Sequence, residues 1–290
     1  MPFLELLQSS AGYLYFTLGV LGLVIGSFLN VVIHRVPIML ERQWKLESLE
    51  ALHPNQVPKK MEPYNLTKPV SHCPSCGHKI KPVENIPVLS FLFLKGQCSA
   101  CNVKIPVRYP VIEILSSALA ILAGVYFGAS LQTVLVCVLL WTLLALSMID
   151  MDTQFLPDNM TLPLLWLGLL ANTTDLFVPL KDAVIGAAAG YLFLWSVFWL
   201  FKLCTGKDGM GYGDFKLLAA LGAWMGWQIL PVIILLSSLV GTLVGVGLII
   251  VKKHQSSKPI PFGPYLAAAG FITLFWGDNI IQSYLQFAGF

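Results

Sequence analysis

Residues 114–149 read ILSSALAILAGVYFGASLQTVLVCVLLWTLLALSMI and carry no charged side chain. A helix that crosses a bilayer needs about 20 predominantly apolar residues. The run is therefore long enough to cross twice, and Gly128-Ala129-Ser130 supplies the break between two helices. Such a stretch cannot be solvated as the surface of a soluble domain, so the chain is placed in a membrane and its fold class is all-α.

The same pattern extends in both directions. Of the 290 residues, 56% are hydrophobic and 11% charged, with a mean hydropathy of +0.74. Leu6 to Ile33 forms a first charge-free run, and the sequence before it, MPFLELLQSS, lacks the basic region of a signal peptide, so this run is expected to stay as a transmembrane helix. Asn159 to Thr174, Ala183 to Phe201, Leu217 to Val251 (split near Gly226-Trp227-Gln228) and Phe262 to Trp276 complete the set. The reading is a polytopic membrane protein of about eight transmembrane helices. It divides the chain into a first helix (1–33), a cytoplasmic domain (34–110) and a membrane domain (111–290). Eleven of the 18 basic residues fall in His34 to Pro110. By the positive-inside rule that segment is cytoplasmic. The loops around Lys202, Lys207 and Lys216 and around Lys252, Lys253 and Lys258 join it, leaving only Lys181 outside. This places both termini and the turns near Gly128, Leu176 and Trp227 in the periplasm. No basic patch interleaved with aromatics points to nucleic acid.

The polar segment holds two Cys-x-x-Cys pairs, Cys73/Cys76 and Cys98/Cys101. The gap between them is one residue beyond the usual range for a four-cysteine zinc site. In a reducing cytoplasm disulfides are disfavoured, and a small domain needs a staple. Zinc is the leading reading, ahead of a thiol redox pair or free cysteines. With four cysteine ligands the site is closed, hence structural. His72 and His78 read as solvated neighbours. Cys137 and Cys204 lie in apolar runs, as small hydrophobes do.

Acidic residues beside membrane helices are functional candidates. Asp150 ends the third helix, where the macrodipole disfavours an anion. Asp214 follows Gly211-Tyr212-Gly213 and opens the sixth, where it could also be an N-cap. Both fall at the cytoplasmic boundary. Two carboxylates sharing a proton can hydrolyse a peptide bond, one activating water and the other donating to the carbonyl oxygen. Gly211 and Gly213 would let backbone and substrate come close to Asp214. Asp152 and Asp158 read as residues that solvate their loop, with Asp158 next in line as a catalytic candidate, and Glu113 either shapes the site or pairs with Arg108. There is no His-Glu-x-x-His, no Walker A sequence, and no histidine in a span to partner Ser27. The reading from another class is a proton-coupled transporter or membrane assembly scaffold with a zinc docking domain. It fits less well because no span carries a central charge.

Taken together, Gly26-Ser27-Phe28-Leu29-Asn30-Val31 with Arg35, both cysteine pairs, Glu84-Asn85-Ile86-Pro87, Arg108-Tyr109-Pro110 with Glu113, Leu156-Pro157-Asp158, residues 209–216 (GMGYGDFK) and Pro261-Phe262-Gly263-Pro264-Tyr265 resemble the bacterial type IV prepilin peptidases. That is the leader peptidase and N-methyltransferase family that also serves type II secretion pseudopilins, and the resemblance runs nearly the whole length. It implies aspartyl proteolysis by Asp150 and Asp214, with Gly211, Gly213, Lys216, Asp158 and Glu113 supporting. The implied cut follows a glycine at the end of a short basic leader of prepilin and pseudopilin precursors, at the cytoplasmic face of the bacterial inner membrane. It also implies methylation of the new N-terminus from S-adenosylmethionine. The family places that activity near the cysteine pairs, where Gly96, Glu84 and Asn85 are the candidates, and it implies a supporting tetrad, since some members lack the cysteines.

Overall fold

The computed structural model describes residues 2–53, 62–250 and 260–287. Among these residues the chain is helical, with no strand and only two isolated β-bridges, His72 with Lys79 and Gln97 with Lys104. In chain order the helices are α1 (Pro2–Ser9), α2 (Ala11–Leu52), α3 (Leu89–Phe93), α4 (Arg108–Phe127), α5 (Leu131–Thr153), α6 (Asp158–Ala171), α7 (Leu180–Thr205), α8 (Tyr212–Met225), α9 (Leu230–Ile250) and α10 (Gly263–Phe287). Five segments are long and apolar enough to cross a membrane: Ala11–Leu52, Arg108–Phe127, Leu131–Thr153, Leu180–Thr205 and Leu230–Gly247. The two expected breaks fall where glycine ends a helix. Gly128 (φ 62°) follows α4 and Gly226 (φ 81°) follows α8, a conformation open to glycine at no steric cost. Lys252, Lys253 and Lys258 lie outside the described residues.

One boundary differs from the sequence reading. α2 does not stop at Ile33, where charge begins, but continues through Pro37 to Leu52. Its last part is exposed and polar, and Lys45 pairs with Glu41 one turn earlier at 2.6 Å. Hydropathy marks where the bilayer ends, whereas backbone hydrogen bonds and i,i+4 pairs continue the helix into water.

The chain forms two compact units, Met1–Trp141 and Thr142–Phe290, dividing within α5. In the first, α2 and α4 run antiparallel at very short range. A Cβ on Gly22 would stand 2.5 Å from Ser117 Cα, and one on Gly26 would stand 2.6 Å from Glu113 Cα. Small residues let membrane helices touch backbone to backbone, where packing takes the place of the hydrophobic drive. Ser117 Oγ donates to the Gly19 carbonyl at 2.9 Å, and Asn30 Nδ2 donates to the Tyr109 carbonyl at 3.2 Å. These contacts fix the register.

In the second unit α8 is the central helix, buried over Asp214, Phe215 and Leu217–Trp224. α7 meets it at Gly186, where a Cβ would stand 2.4 Å from the Gly222 carbonyl oxygen, and α10 meets it at Gly270, 2.7 Å from a Leu221 methyl. α6 is held to its far end by Trp224 Nε1, which donates to the Leu164 carbonyl at 2.9 Å, and by Asn172 Nδ2, which donates to the Ala223 carbonyl at 2.9 Å. These bonds fix α8 along its length and so fix the position of Asp214 at its start.

Candidate active site and metal centre

Asp150 lies in the last turn of α5. Gln154 ends that helix in the left-handed region (φ 55°), its amide donating to the Asp150 carbonyl at 2.8 Å. The chain then turns through Leu156 and Pro157 into α6. Asp214 is the third residue of α8, whose N-cap is Gly211, not Asp214. The Asp214 carboxylate nonetheless turns back toward the Gly211 backbone, as the acidic member of a capping box does. The N-cap reading of Asp214 is thus corrected: Gly211 occupies that position.

The two carboxylates, 150 and 214, are 4% and 7% exposed and close enough to act on each other through space. Asp150 Oδ2 accepts from the Gly263 amide at 3.0 Å, which brings the start of α10 into the site. Asp214 Oδ1 is buried with no hydrogen-bond partner among the described residues. Leaving a buried acceptor unpaired costs about 1–3 kcal/mol. The local packing does not explain that cost, so it points to function.

Leu156 sits between the two halves of the site. A Cβ on Gly213 would stand 2.7 Å from Leu156 Cβ, and one on Gly263 would stand 3.2 Å from Leu156 Cδ1 and 2.7 Å from Asp150 Oδ2. Gly213 and Gly263 are thus required by close approach. Gly211 is different, since a Cβ there would meet nothing nearer than Asp214 Oδ2 at 3.8 Å. Sequence reasoning missed Gly263 and Leu156 as site residues. Both lie in stretches that carry the family resemblance, yet the sequence gives neither a site role, because their partners, Asp150 among them, lie far away in the chain.

Asp158 and Lys216 pair closely, Nζ donating to both carboxylate oxygens at 2.6 and 2.7 Å. This pair joins the first turns of α6 and α8. Glu113, in the other unit, is buried and accepts from the Val88 amide at 2.7 Å and from Ser27.

The four cysteine sulfurs 73, 76, 98 and 101 all lie within 4.8 Å of one another. A tetrahedron of sulfurs about 2.3 Å from a central zinc has edges of about 3.8 Å, and the separation of Cys73 Sγ from Cys101 Sγ is 3.8 Å. The two knuckles repeat one geometry. In the first, the Cys73 amide donates to the His78 carbonyl and the Gly77 amide to the Cys73 carbonyl; in the second, the Cys98 amide donates to the Val103 carbonyl and the Asn102 amide to the Cys98 carbonyl. Gly77 (φ 71°) and Asn102 (φ 57°) take the left-handed corner. The amides of Cys76 and Ser75 lower the Cys73 thiol to about 7, and those of Ala100 and Cys101 lower Cys98. Cys101 is favoured as thiolate by the Val103 amide, yet burial and the sulfurs of Cys76, Cys98 and Cys73 push it up to about 12. A cation would relieve that repulsion. The donor set fits a metal ion such as zinc.

Glu84 joins the knuckles. Its Oε2 accepts from the Lys81 amide at 2.8 Å and meets His78 Nε2 at 3.1 Å, and its Oε1 accepts from Ser99 Oγ at 2.6 Å. The Lys81 amide, followed by Ser99 and His78, holds its carboxyl down to about 2. Gly96 (φ 68°) faces the Phe91 ring, 3.0 Å from where a Cβ would be. Asn85 is exposed. Glu84 and Gly96 thus make contacts within the loop, and Asn85 stands exposed beside them.

The sequence matches the Bacterial Peptidase A24 N-terminal domain over residues 20–127 and the Type IV leader peptidase family over residues 137–246. Among curated proteins it is similar to the prepilin leader peptidase/N-methyltransferase of Pseudomonas aeruginosa, 56% identical over 290 residues and 100% of both chains. The protein of the same name from Aeromonas hydrophila is 56% identical over 274 residues, 94% of each chain. That from Dichelobacter nodosus is 47% identical over 290 residues, 98% of each. No solved structure matches. None of these three relatives is named a transporter or scaffold. With both halves matched and full-length relatives at this identity, the chain belongs to the type IV leader peptidase family.

Proposed function

We propose that this chain is an aspartic endopeptidase of the bacterial inner membrane that removes the leaders of type IV prepilins and type II pseudopilins and N-methylates the new N-terminus. The observation that carries the peptidase reading is that Asp150 and Asp214, two buried carboxylates on separate helices, lie near enough to feel each other's charge, one held by the Gly263 amide and the other with an unpaired oxygen. Two carboxylates at close range hold one proton between them. The ionised member takes a proton from water as the water oxygen bonds to the scissile carbonyl carbon, while the protonated member donates to the carbonyl oxygen. On collapse of the tetrahedral intermediate the leaving amine takes a proton and the dyad regains its single one. Neither a nucleophilic side chain nor a metal takes part in these steps.

Cys73, Cys76, Cys98 and Cys101 would hold a zinc ion that closes the domain between α2 and α4, with no open position for chemistry. Methylation follows from the name the relatives carry, with S-adenosylmethionine as donor, and Gly96, Glu84 and Asn85 are the residues proposed for its site. The distribution of Lys and Arg supports a cytoplasmic position for the dyad. The test is incubation of membranes holding this protein with a prepilin precursor, followed by intact-mass analysis. A product shortened by its leader and carrying one added methyl group is expected. Unchanged precursor at normal enzyme abundance would remove the proposal.

A further inference from the structure

Between the two knuckles lies a segment whose side chains contradict a fully aqueous setting. Val83 is 73% exposed, Leu89 52%, Leu92 64% and Phe93 82%. A soluble surface scatters such residues singly, whereas a contiguous exposed apolar group marks contact with an apolar partner. Lys81 precedes the group, and Lys95, also exposed, closes it.

The depth of this segment can be read from its anchor. The Val88 amide, at the entrance to α3, donates to Glu113 Oε2 at 2.7 Å. Glu113 is not at the end of α4 but more than a turn inside it, since the helix begins at Arg108. At 1.5 Å per residue, and with the side chain tilted back toward the helix start, the anchor lies on the order of 5 Å within the level of Arg108. The partner helix agrees, because Glu113 crosses α2 at Gly26, well inside the charge-free run that ends at Ile33. α4 shows exposed Val111, Ile114 and Leu115 around the same level.

We infer that α3 is not part of a soluble domain but an interfacial element that lies in the bilayer on the cysteine side. Leu89, Leu92 and Phe93 enter the acyl boundary, and Lys81 and Lys95 reach the headgroups. The reading explains Glu113. Non-helical backbone at membrane depth is tolerated only where its polar groups are met by protein, and the Val88 amide is met by the Glu113 carboxylate. It also explains how exposed apolar residues stand beside lysines, the arrangement by which amphipathic segments lie in an interface and long cations extend to the polar layer. The occupant is lipid because the patch is continuous, through the Glu113 anchor, with the exposed apolar face of a membrane-crossing helix.

The experiment reconstitutes the full chain in phospholipid vesicles that contain a diazirine in the acyl chain, irradiates them, and maps adducts by mass spectrometry. The peptide holding Leu89 to Phe93 is expected to be labelled to the same extent as the α4 peptide holding Ile114 and Leu115, with the knuckle peptides unlabelled. Labelling of α4 without labelling of α3 overturns the inference. In a second arm a photoreactive amino acid replaces Phe93. Lipid adducts support the reading, and cross-links to a second copy or to a prepilin in place of lipid overturn it. The outcome is independent of precursor cleavage, which is measured on the same vesicles.

Discussion

The Gly263 amide and the Asp150 carboxylate are joined by a 3.0 Å hydrogen bond that ties the start of α10 to the last turn of α5. The contact leaves no room for a side chain, since a Cβ on Gly263 would stand 2.7 Å from Asp150 Oδ2. Gly263→Ala must push the carboxylate aside, and small misplacement of a reacting group costs on the order of 100-fold in rate. We expect precursor cleavage to fall by about that factor at near-normal abundance, measured as initial rate per molecule of enzyme. Unchanged cleavage would mean that Asp150 is not held for catalysis.

Asp150→Asn and Asp214→Asn keep size and polarity but cannot share a titrating proton. Each is expected to reduce cleavage to background, and the double variant to cost little more, because residues that act as one unit are strongly non-additive. Abundance should not fall, as each substitution removes a buried carboxylate. Either single variant cleaving at the parental rate would end the dyad assignment.

Asp158 and Lys216 give a contrasting expectation. Their side chains are 54% and 25% exposed, and exposed pairs contribute about 0–1 kcal/mol. Asp158→Asn should therefore lower stability by less than about 1 kcal/mol and reduce cleavage only several-fold. A thermal-denaturation cycle with Lys216→Met isolates the pair. Complete loss of cleavage in folded Asp158→Asn protein would move Asp158 into the catalytic group.

Cys73→Ser with Cys98→Ser removes one sulfur from each knuckle. Elemental analysis of protein purified without chelator should find one zinc per parental chain and none in the variant. Abundance should drop, while cleavage per surviving molecule changes little. Parental protein without zinc would exclude the metal site.

Glu84 sets a pH dependence. Its carboxyl is held at about 2, below the ordinary 4.5, first by the Lys81 amide and then by Ser99 and His78. A depressed carboxylate contributes stability above its unfolded value and loses it as pH falls through the folded one. In chelator, Glu84→Gln should therefore exchange knuckle amides faster than the parent above pH 4.5. The difference should fade as pH drops toward 2. A gap that stays constant with pH would show that the charge of Glu84 is irrelevant.

The helix order was legible because apolar runs and glycine breaks are local. Gly128 and Gly226 end helices where the sequence places them. Asp150 and Asp214 stood out for the same reason, as charges where hydrocarbon is expected. The rest depends on contacts between distant parts of the chain. Nothing near Gly263 names Asp150 as its acceptor, and nothing near Glu113 names Val88. α3 was absorbed into the polar segment because five residues, LSFLF, are too few for any hydropathy window. The continuation of α2 past Ile33 was not legible, because charge reports solvent, not helix.

The lengths of α6 and α8 bear on how water meets the dyad. Each has 14 residues, so each is about 21 Å long at 1.5 Å per residue, against a hydrocarbon layer of about 30 Å. The end of α8 is bonded to the middle of α6 by Trp224 and to its C-terminal end by Asn172, so the two helices are short as a pair, with Asp158, Lys216 and Asp214 at the other end. On the proposed reading, a bilayer that thins to meet so short a pair would let an extended peptide from the aqueous side reach the carboxylates without crossing oil. Hydrolysis inside a membrane protein then needs no channel, only two helices that stop early.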